Sequence, residues 1–484
     1  MVSGVTAFGI LTEVGGPVTQ RICLAPSTVV NSTLLSVETL CEISDPNMTH
    51  RECESLRGGF FDKQKSTTWK DSSLSDFNNT RQNPVWEHFN PPGITDVGYD
   101  TLRFPESSDL AFYGYGLALN TRGNVSNQGM LGLGTNSLFV ERALNESRSP
   151  SRSWSLDSGS QSLANPRSGE LVIGGYNRGR KDGTFVWTNI SDLSGERPCP
   201  LRTKIKAMKI ILTDGSEEPL MSGAETIEAC IEPSLLGVLN TDDNIFRFTP
   251  SMLANLKDRT NFNPDLMRLY STDNALNLTY TETGLLYSSA NTKNWSLSMT
   301  LDSGYTTTLP HYEVQGPLRG WNAFGEKVVV PNTTMVAVLN TPTGDGEAPT
   351  LGKVFLSQSL LVVDYINNRY GLTQSLTSPG PPDLVGLGCE DQASTPPPSS
   401  TASPTSIASK SAMSTGAIAG ISVGAVAGVG FAVALAMAFW RRRVVDHEKK
   451  KRQLHRVTPI SEMPGYTRRR SELTSTGDSY SQTE

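Results

Sequence analysis

The 24 residues from Ala417 to Trp440 carry no charge at all, and no other stretch of the chain is so restricted in what it can become. As a helix they extend about 36 Å, enough to cross a hydrocarbon core of ~30 Å, where only a structure that pairs its own backbone groups survives. Arg441, Arg442 and Arg443 follow at once, and the tail 441–484 holds 11 Lys/Arg against 6 Asp/Glu. With a whole-chain charge of -6, residues 1–416 must therefore carry -11. Positive charge stays on the cytoplasmic side, so the large acidic part is expected to be lumenal or extracellular, at the plasma membrane or a vacuole.

Sequons and cysteines agree with that orientation. Asn31, Asn47, Asn78, Asn124, Asn145, Asn189, Asn277, Asn294 and Asn332 all head Asn-x-Ser/Thr triplets, every one before the span. One such triplet means little, but nine on one side fit a glycoprotein ectodomain. Cys41 and Cys53 bracket a short loop and are expected to pair; Cys199 and Cys230 suit a second bridge, leaving Cys23 and Cys389 unassigned. These spacings do not make a metal site, and no cofactor loop, phosphate loop or nucleic-acid patch is visible. Met1 to Gln20 lacks a basic start and an apolar core, so either the true amino terminus lies upstream or the span itself directs insertion.

Between fold and span, residues 394–415 include 16 Ser, Thr or Pro in 22 and read as an extended, O-glycosylated stalk. Gly416, Gly420, Gly424 and Gly428 then form a smooth stripe on one helix face, which permits weak homodimerisation but is common in spans generally. Gly420–Gly424 also spells a serine-hydrolase pattern, which carries no meaning inside a lipid-facing helix. In the tail, Arg468-Arg469-Arg470-Ser471 reads as a contact for anionic membrane lipid that phosphorylation of Ser471 would weaken.

Ahead of the stalk the pattern is mainly β. Leu297, Met299 and Leu301 alternate with Ser298 and Thr300, turn clusters rich in Gly, Asn, Asp and Ser recur, and long amphipathic helical windows are scarce. An antiparallel, sheet-rich architecture follows. Several segments carry a more specific likeness: Leu351–Leu372 with Leu-Gly-Lys-Val-Phe-Leu, Val14–Gln20, Arg57–Trp69, Gly98–Thr101, Gly129–Gly134 and Gly169–Asn177. In this order they resemble pepsin-like aspartic peptidases of the peptidase A1 family, over about residues 14–375, and most of all fungal membrane-anchored members that lack the catalytic aspartates. The resemblance implies a bilobal fold with lobes at 1–195 and 196–389, then the stalk 390–416, the transmembrane helix 417–440 and a cytoplasmic tail 441–484.

Catalysis in that family needs two carboxylates sharing one proton, one lobe supplying each. The segments Cys23-Leu24-Ala25-Pro26-Ser27 and Cys230-Ile231-Glu232-Pro233-Ser234 echo one another and place Ala25 and Glu232 at the two catalytic positions. No Asp or Glu lies between Glu13 and Glu38 to replace the first carboxylate. The family's flap tyrosine falls near His88 or Phe89, beside Pro91 and Pro92. The two Asp-Ser-Gly tripeptides, at Asp157 and Asp302, sit between strand patterns and read as hairpin turns rather than catalytic loops. The expected function is therefore a catalytically inactive, membrane-anchored aspartic protease-like glycoprotein whose cleft holds extended peptide or polysaccharide; the alternative is an endopeptidase active at acidic pH.

Overall fold

Val14 is wholly buried at the end of strand Ile10–Val14, and Gly15, at φ 89°, turns the chain back into strand Gln20–Ser27. That antiparallel hairpin, in register Val14↔Gln20 to Ile10↔Leu24, begins the first sheet. In the computed structural model the described residues are 9–44, 48–73, 94–107, 110–121, 128–191, 199–221, 226–234, 246–248, 254, 265–268, 272–273, 278–279, 283–288, 294–336, 338–340 and 350–388. The predicted span, its glycine stripe Gly416, Gly420, Gly424 and Gly428, the stalk and the tail fall outside them. Among the described residues no helix is long and apolar enough to cross a membrane.

The protein is mainly β, as the alternation predicts, and its sheets curl into barrel-like layers. In the first, strands run in the order Ile10–Val14, Gln20–Ser27, Met130–Gly132, Thr33–Ser36, Ala111–Asn120, Ile94–Arg103 and Lys70–Ser72. Ile10–Val14 also pairs with Ile94–Arg103, Val14 against Leu102, which brings the sheet round on itself and leaves fewer open edges. Ile22, Leu24, Leu102, Phe112, Leu117 and Leu131 fill the interior.

A second sheet orders Thr306–Leu309, Trp295–Leu301, Arg202–Leu212, Ile227–Ile231 and Thr350–Leu351, with Glu217–Pro219 added to Arg202–Leu212. The alternating run behaves as its period requires: Leu297, Met299 and Leu301 are all buried. A third sheet, carried by the hairpin Gln315–Trp321 and Lys327–Val336, lies in the same half of the sequence.

The remaining large sheet draws on both halves of the sequence. Its order is Lys181–Asn189, Arg369–Ser375, Ser359–Asp364, Ser153–Asp157 and Glu170–Ile173, so late strands are inserted between early ones. Leu361 opposes Leu156, and Val363 opposes the fully buried Trp154. Beyond it, Leu384–Gly386 pairs with Gly175–Asn177 and straps the end of the described chain to the earlier half.

Both expected disulfides form. Cys41–Cys53 joins helices Thr39–Ser44 and His50–Arg57, the second opened by a reciprocal Thr49/Glu52 cap, and Cys199–Cys230 joins the entry of Arg202–Leu212 to Ile227–Ile231. Two such bridges are consistent with a secreted or extracellular domain. Cys23 is buried in its strand, and Cys389 lies outside the described residues.

Of the sequon asparagines, Asn145, Asn189, Asn294 and Asn332 are exposed, whereas Asn47, Asn78, Asn124 and Asn277 fall outside the described residues. Asn31 corrects the sequence reading. Its side chain is 2% exposed, its Oδ1 accepts the Asn136 N–H at 3.1 Å, and its Nδ2 is enclosed, so a glycan has no room there. Glycopeptide mass mapping is expected to find sugar on Asn145, Asn189, Asn294 and Asn332 and none on Asn31; a glycan on Asn31 would contradict this packing.

Candidate functional site

The two echoing segments end their strands at the same place in the fold. Gln20–Ser27 runs parallel to Met130–Gly132, with Pro26 opposite Leu131 and Ser27 opposite Gly132. Ile227–Ile231 runs parallel to Thr350–Leu351, with Ile231 opposite Leu351, and the Glu232 N–H donates to Leu351 O at 3.2 Å. Each half thus lays the end of a strand beside a Leu-Gly pair, Leu131-Gly132 in one and Leu351-Gly352 in the other. The glycine is required in the first: a Cβ on Gly132 would lie 2.5 Å from the Asn31 carbonyl carbon.

This register changes one sequence expectation. Matching the Leu-Gly pairs puts Ser27, not Ala25, in the position equivalent to Glu232, and Ala25 falls two residues too early, opposite Met130. The Cys-x-x-Pro-Ser echo misleads because it aligns side-chain identity, whereas the parallel pairing that sets geometry is anchored on the glycines. Ser27 is wholly buried, and its Oγ makes no hydrogen bond to a described residue.

Glu232 is 3% exposed and accepts from both Thr28 and Ser234. The Thr28 N–H donates to Oε2 at 3.0 Å and to Oε1 at 3.3 Å, and the Thr28 hydroxyl makes a very short bond to Oε2. The Ser234 N–H and hydroxyl donate to Oε1 at 3.0 and 2.8 Å. Four donors from two distant segments therefore converge on one carboxyl, Thr28 lying 204 residues away in sequence. Burial pushes the Glu232 carboxyl up to about 7, opposed by the bonds from Thr28 and Ser234, and no cation is among the causes. Thr28 is the residue that sequence reasoning missed: its role comes from a partner too distant for any local pattern to show.

Tyr365 stands close enough for Glu232 to act on it, and its phenol is held above its usual range first by burial and then by that charge. Its hydroxyl donates to Leu133 O, just past Gly132. Among the described residues, the groups around Glu232 thus offer hydroxyls and backbone N–H but no second carboxylate. Among the described residues no cluster of His, Cys, Asp and Glu suits a metal ion.

The Asp-Ser-Gly tripeptides both belong to hairpins, but only that of Asp302 is a turn; Asp157 is the last paired residue of its strand. Asp302 is exposed in the turn between Trp295–Leu301 and Thr306–Leu309, where Gly304 takes φ 91°. Asp157 closes the strand Ser153–Asp157 opposite Glu170 and is only 1% exposed. Its carboxylate binds Arg167 Nη1 at 2.5 and 2.7 Å and Arg180 Nη1 at 2.9 Å. Arg180 also pairs with Glu170 at 2.9 Å. Nearby, Ser160 donates to Glu313 at 2.5 Å, and burial raises the Glu313 carboxyl, opposed by Ser160, Ser357 and the charges of Arg167 and Arg319. This ionic cluster clasps the hairpin of Asp157 into the later half of the chain. His88, Phe89, Pro91 and Pro92 lie outside the described residues.

No family model matches the chain, and no curated protein sequence matches it.

Proposed function

We propose that this protein is a two-lobed, pepsin-like scaffold that binds extended peptide or polysaccharide without cleaving it, carried outside the cytoplasm on a membrane anchor. The carrying observation is that the equivalent ends of the two strand-to-glycine units hold Ser27 in one half and Glu232 in the other. Amide hydrolysis by paired acids needs one carboxylate to take a proton from water while the other, protonated, polarises the carbonyl. A serine hydroxyl in the first position stays neutral at ordinary pH, so it cannot share a proton with Glu232 as a second carboxyl would, and as a donor to the carbonyl it is a far weaker acid. Glu232 in turn is engaged by Thr28 and Ser234, which leaves it enclosed rather than aimed at a substrate.

A second reading, an endopeptidase active in acid, draws on one observation, the raised carboxyl of Glu232, since perturbed groups gather at catalytic sites. Against it, Asp157 is bound to two arginines and Asp302 is exposed in a turn, so neither joins Glu232. The full-length protein is expected to pass through a pepstatin resin unretained and to leave an unfolded protein substrate intact at acidic pH. Pepstatin-sensitive cleavage would overturn the proposal in favour of the second reading.

A further inference from the structure

Thr28 and Glu232 belong to opposite halves of the chain, yet their contact is among the most enclosed polar contacts in it. Thr28 is 1% exposed, Ser234 1% and Glu232 3%. We propose that Glu232 is a proton-operated latch between the halves: protonated, it holds the Thr28 and Ser234 segments together; ionised, it loosens them. This goes beyond the proposed binding function and stands or falls separately from it.

The hydrogen-bond geometry accommodates both protonation states. When Glu232 is ionised, its two oxygens accept all four donors. When it is neutral, Oε2–H donates to Thr28 Oγ1, and the threonine hydroxyl can turn its own hydrogen to the Ile231 carbonyl at 3.4 Å. The Thr28 and Ser234 N–H groups still find carboxyl oxygens, so no polar atom of the set is stranded. Charge is what separates the two states. A buried carboxylate without a cation is unfavourable, and water reaches it only if the halves part.

Among the described residues, the groups on the surrounding elements do not supply that cation. Met130 offers its thioether to Ser234 Oγ at 3.9 Å; Tyr365 faces the carboxyl with a phenol; Arg152 acts on Tyr365 rather than on Glu232. Lys353, buried just past Gly352, is likewise absent from the influences on the Glu232 carboxyl. Burial raises that carboxyl into the interval between acidic organelles and neutral surroundings, which supports the geometry.

Hydrogen exchange on the full-length protein tests the latch. Peptides containing the Thr28 and Ser234 amides are followed at pH 5.5 and pH 8, with rates corrected for intrinsic exchange. The corrected rate is expected to rise about tenfold or more at the higher pH, as linkage requires when opening releases a proton. Glu232→Gln, which stays neutral at both pH values and still offers one oxygen to the Thr28 and Ser234 N–H groups, is expected to abolish that rise. Glu313→Gln, which removes the other raised carboxyl, is expected to leave it intact. A pH-independent rate in the unmodified protein overturns the latch, and so does a rise that persists in Glu232→Gln; the unmodified protein alone is decisive should that variant fail to fold. Pepstatin-sensitive activity would remove the binding proposal without touching this result.

Discussion

Replacing Asp157 with alanine is expected to destabilise the folded protein by about 3–5 kcal/mol, the usual consequence of removing one partner from a buried ion pair. Asp157 is 1% exposed and neutralises two guanidinium groups that are themselves mostly enclosed, Arg167 at 7% and Arg180 at 15%. Arg180 keeps Glu170, but the remaining hydrogen bonds of Arg167 among the described residues go to neutral acceptors, Ser375 Oγ at 3.1 Å and the Ser357 carbonyl, with Glu313 acting on it only through its charge. The Gly159 N–H, which donates to Asp157 Oδ1 at 3.1 Å, would lose its acceptor as well. Asp302→Ala gives the contrast. That carboxyl is exposed and accepts one long bond, from the Lys204 N–H at 3.4 Å, so its loss is expected to cost no more than about 0.5 kcal/mol. Equilibrium urea unfolding of both variants measures the difference. Equal costs would mean that the buried cluster holds nothing together.

Glu232 sets the second large effect, a stability that falls as pH rises. Its folded-state carboxyl titrates at about 7 against an ordinary value of 4.5, so the folded protein binds this proton more tightly than the unfolded chain. The associated stabilisation is complete below the unfolded value and is lost as pH climbs through the folded one. Integrated over that window the change is about 3 kcal/mol. Glu232→Gln is expected to flatten the slope between pH 4.5 and 7, to match the unmodified protein in acid and to exceed it at pH 8. Urea midpoints across this range are the measurement. A variant that follows the same slope as its parent would assign the pH dependence to other groups.

The sequence displayed local features well and distant ones poorly. The bridge Cys41–Cys53 was legible from a separation of 12 residues, and the turn at Asp302 was legible from the strand patterns on either side, whereas Asp157 proved to end a strand rather than enter a turn. Leu297, Met299 and Leu301 announced their buried face through a period that any strand must obey. Register across the parallel pairs was not legible, because it is fixed by how closely Gly132 lets the chain approach Asn31 and Ser32. Hence the echo matched Ser27 to Ser234 and singled out Ala25, while Thr28 stood outside it. Asn31 failed for a related reason: a sequon describes three neighbouring residues, whereas burial depends on the turn at 134–136 that folds over it.

The inserted strand pair Ser359–Asp364 and Arg369–Ser375 has a consequence for biosynthesis. Ser153–Asp157 and Lys181–Asn189 emerge from the ribosome long before the strands that lie between them, and until then each presents unpaired backbone N–H and C=O groups. The nascent amino-terminal portion must wait, exposed to mispairing with other chains, for some 170 further residues to be translated. A truncation near residue 195 would leave that vulnerability permanent, and an aggregate rather than a free-standing lobe is its natural end.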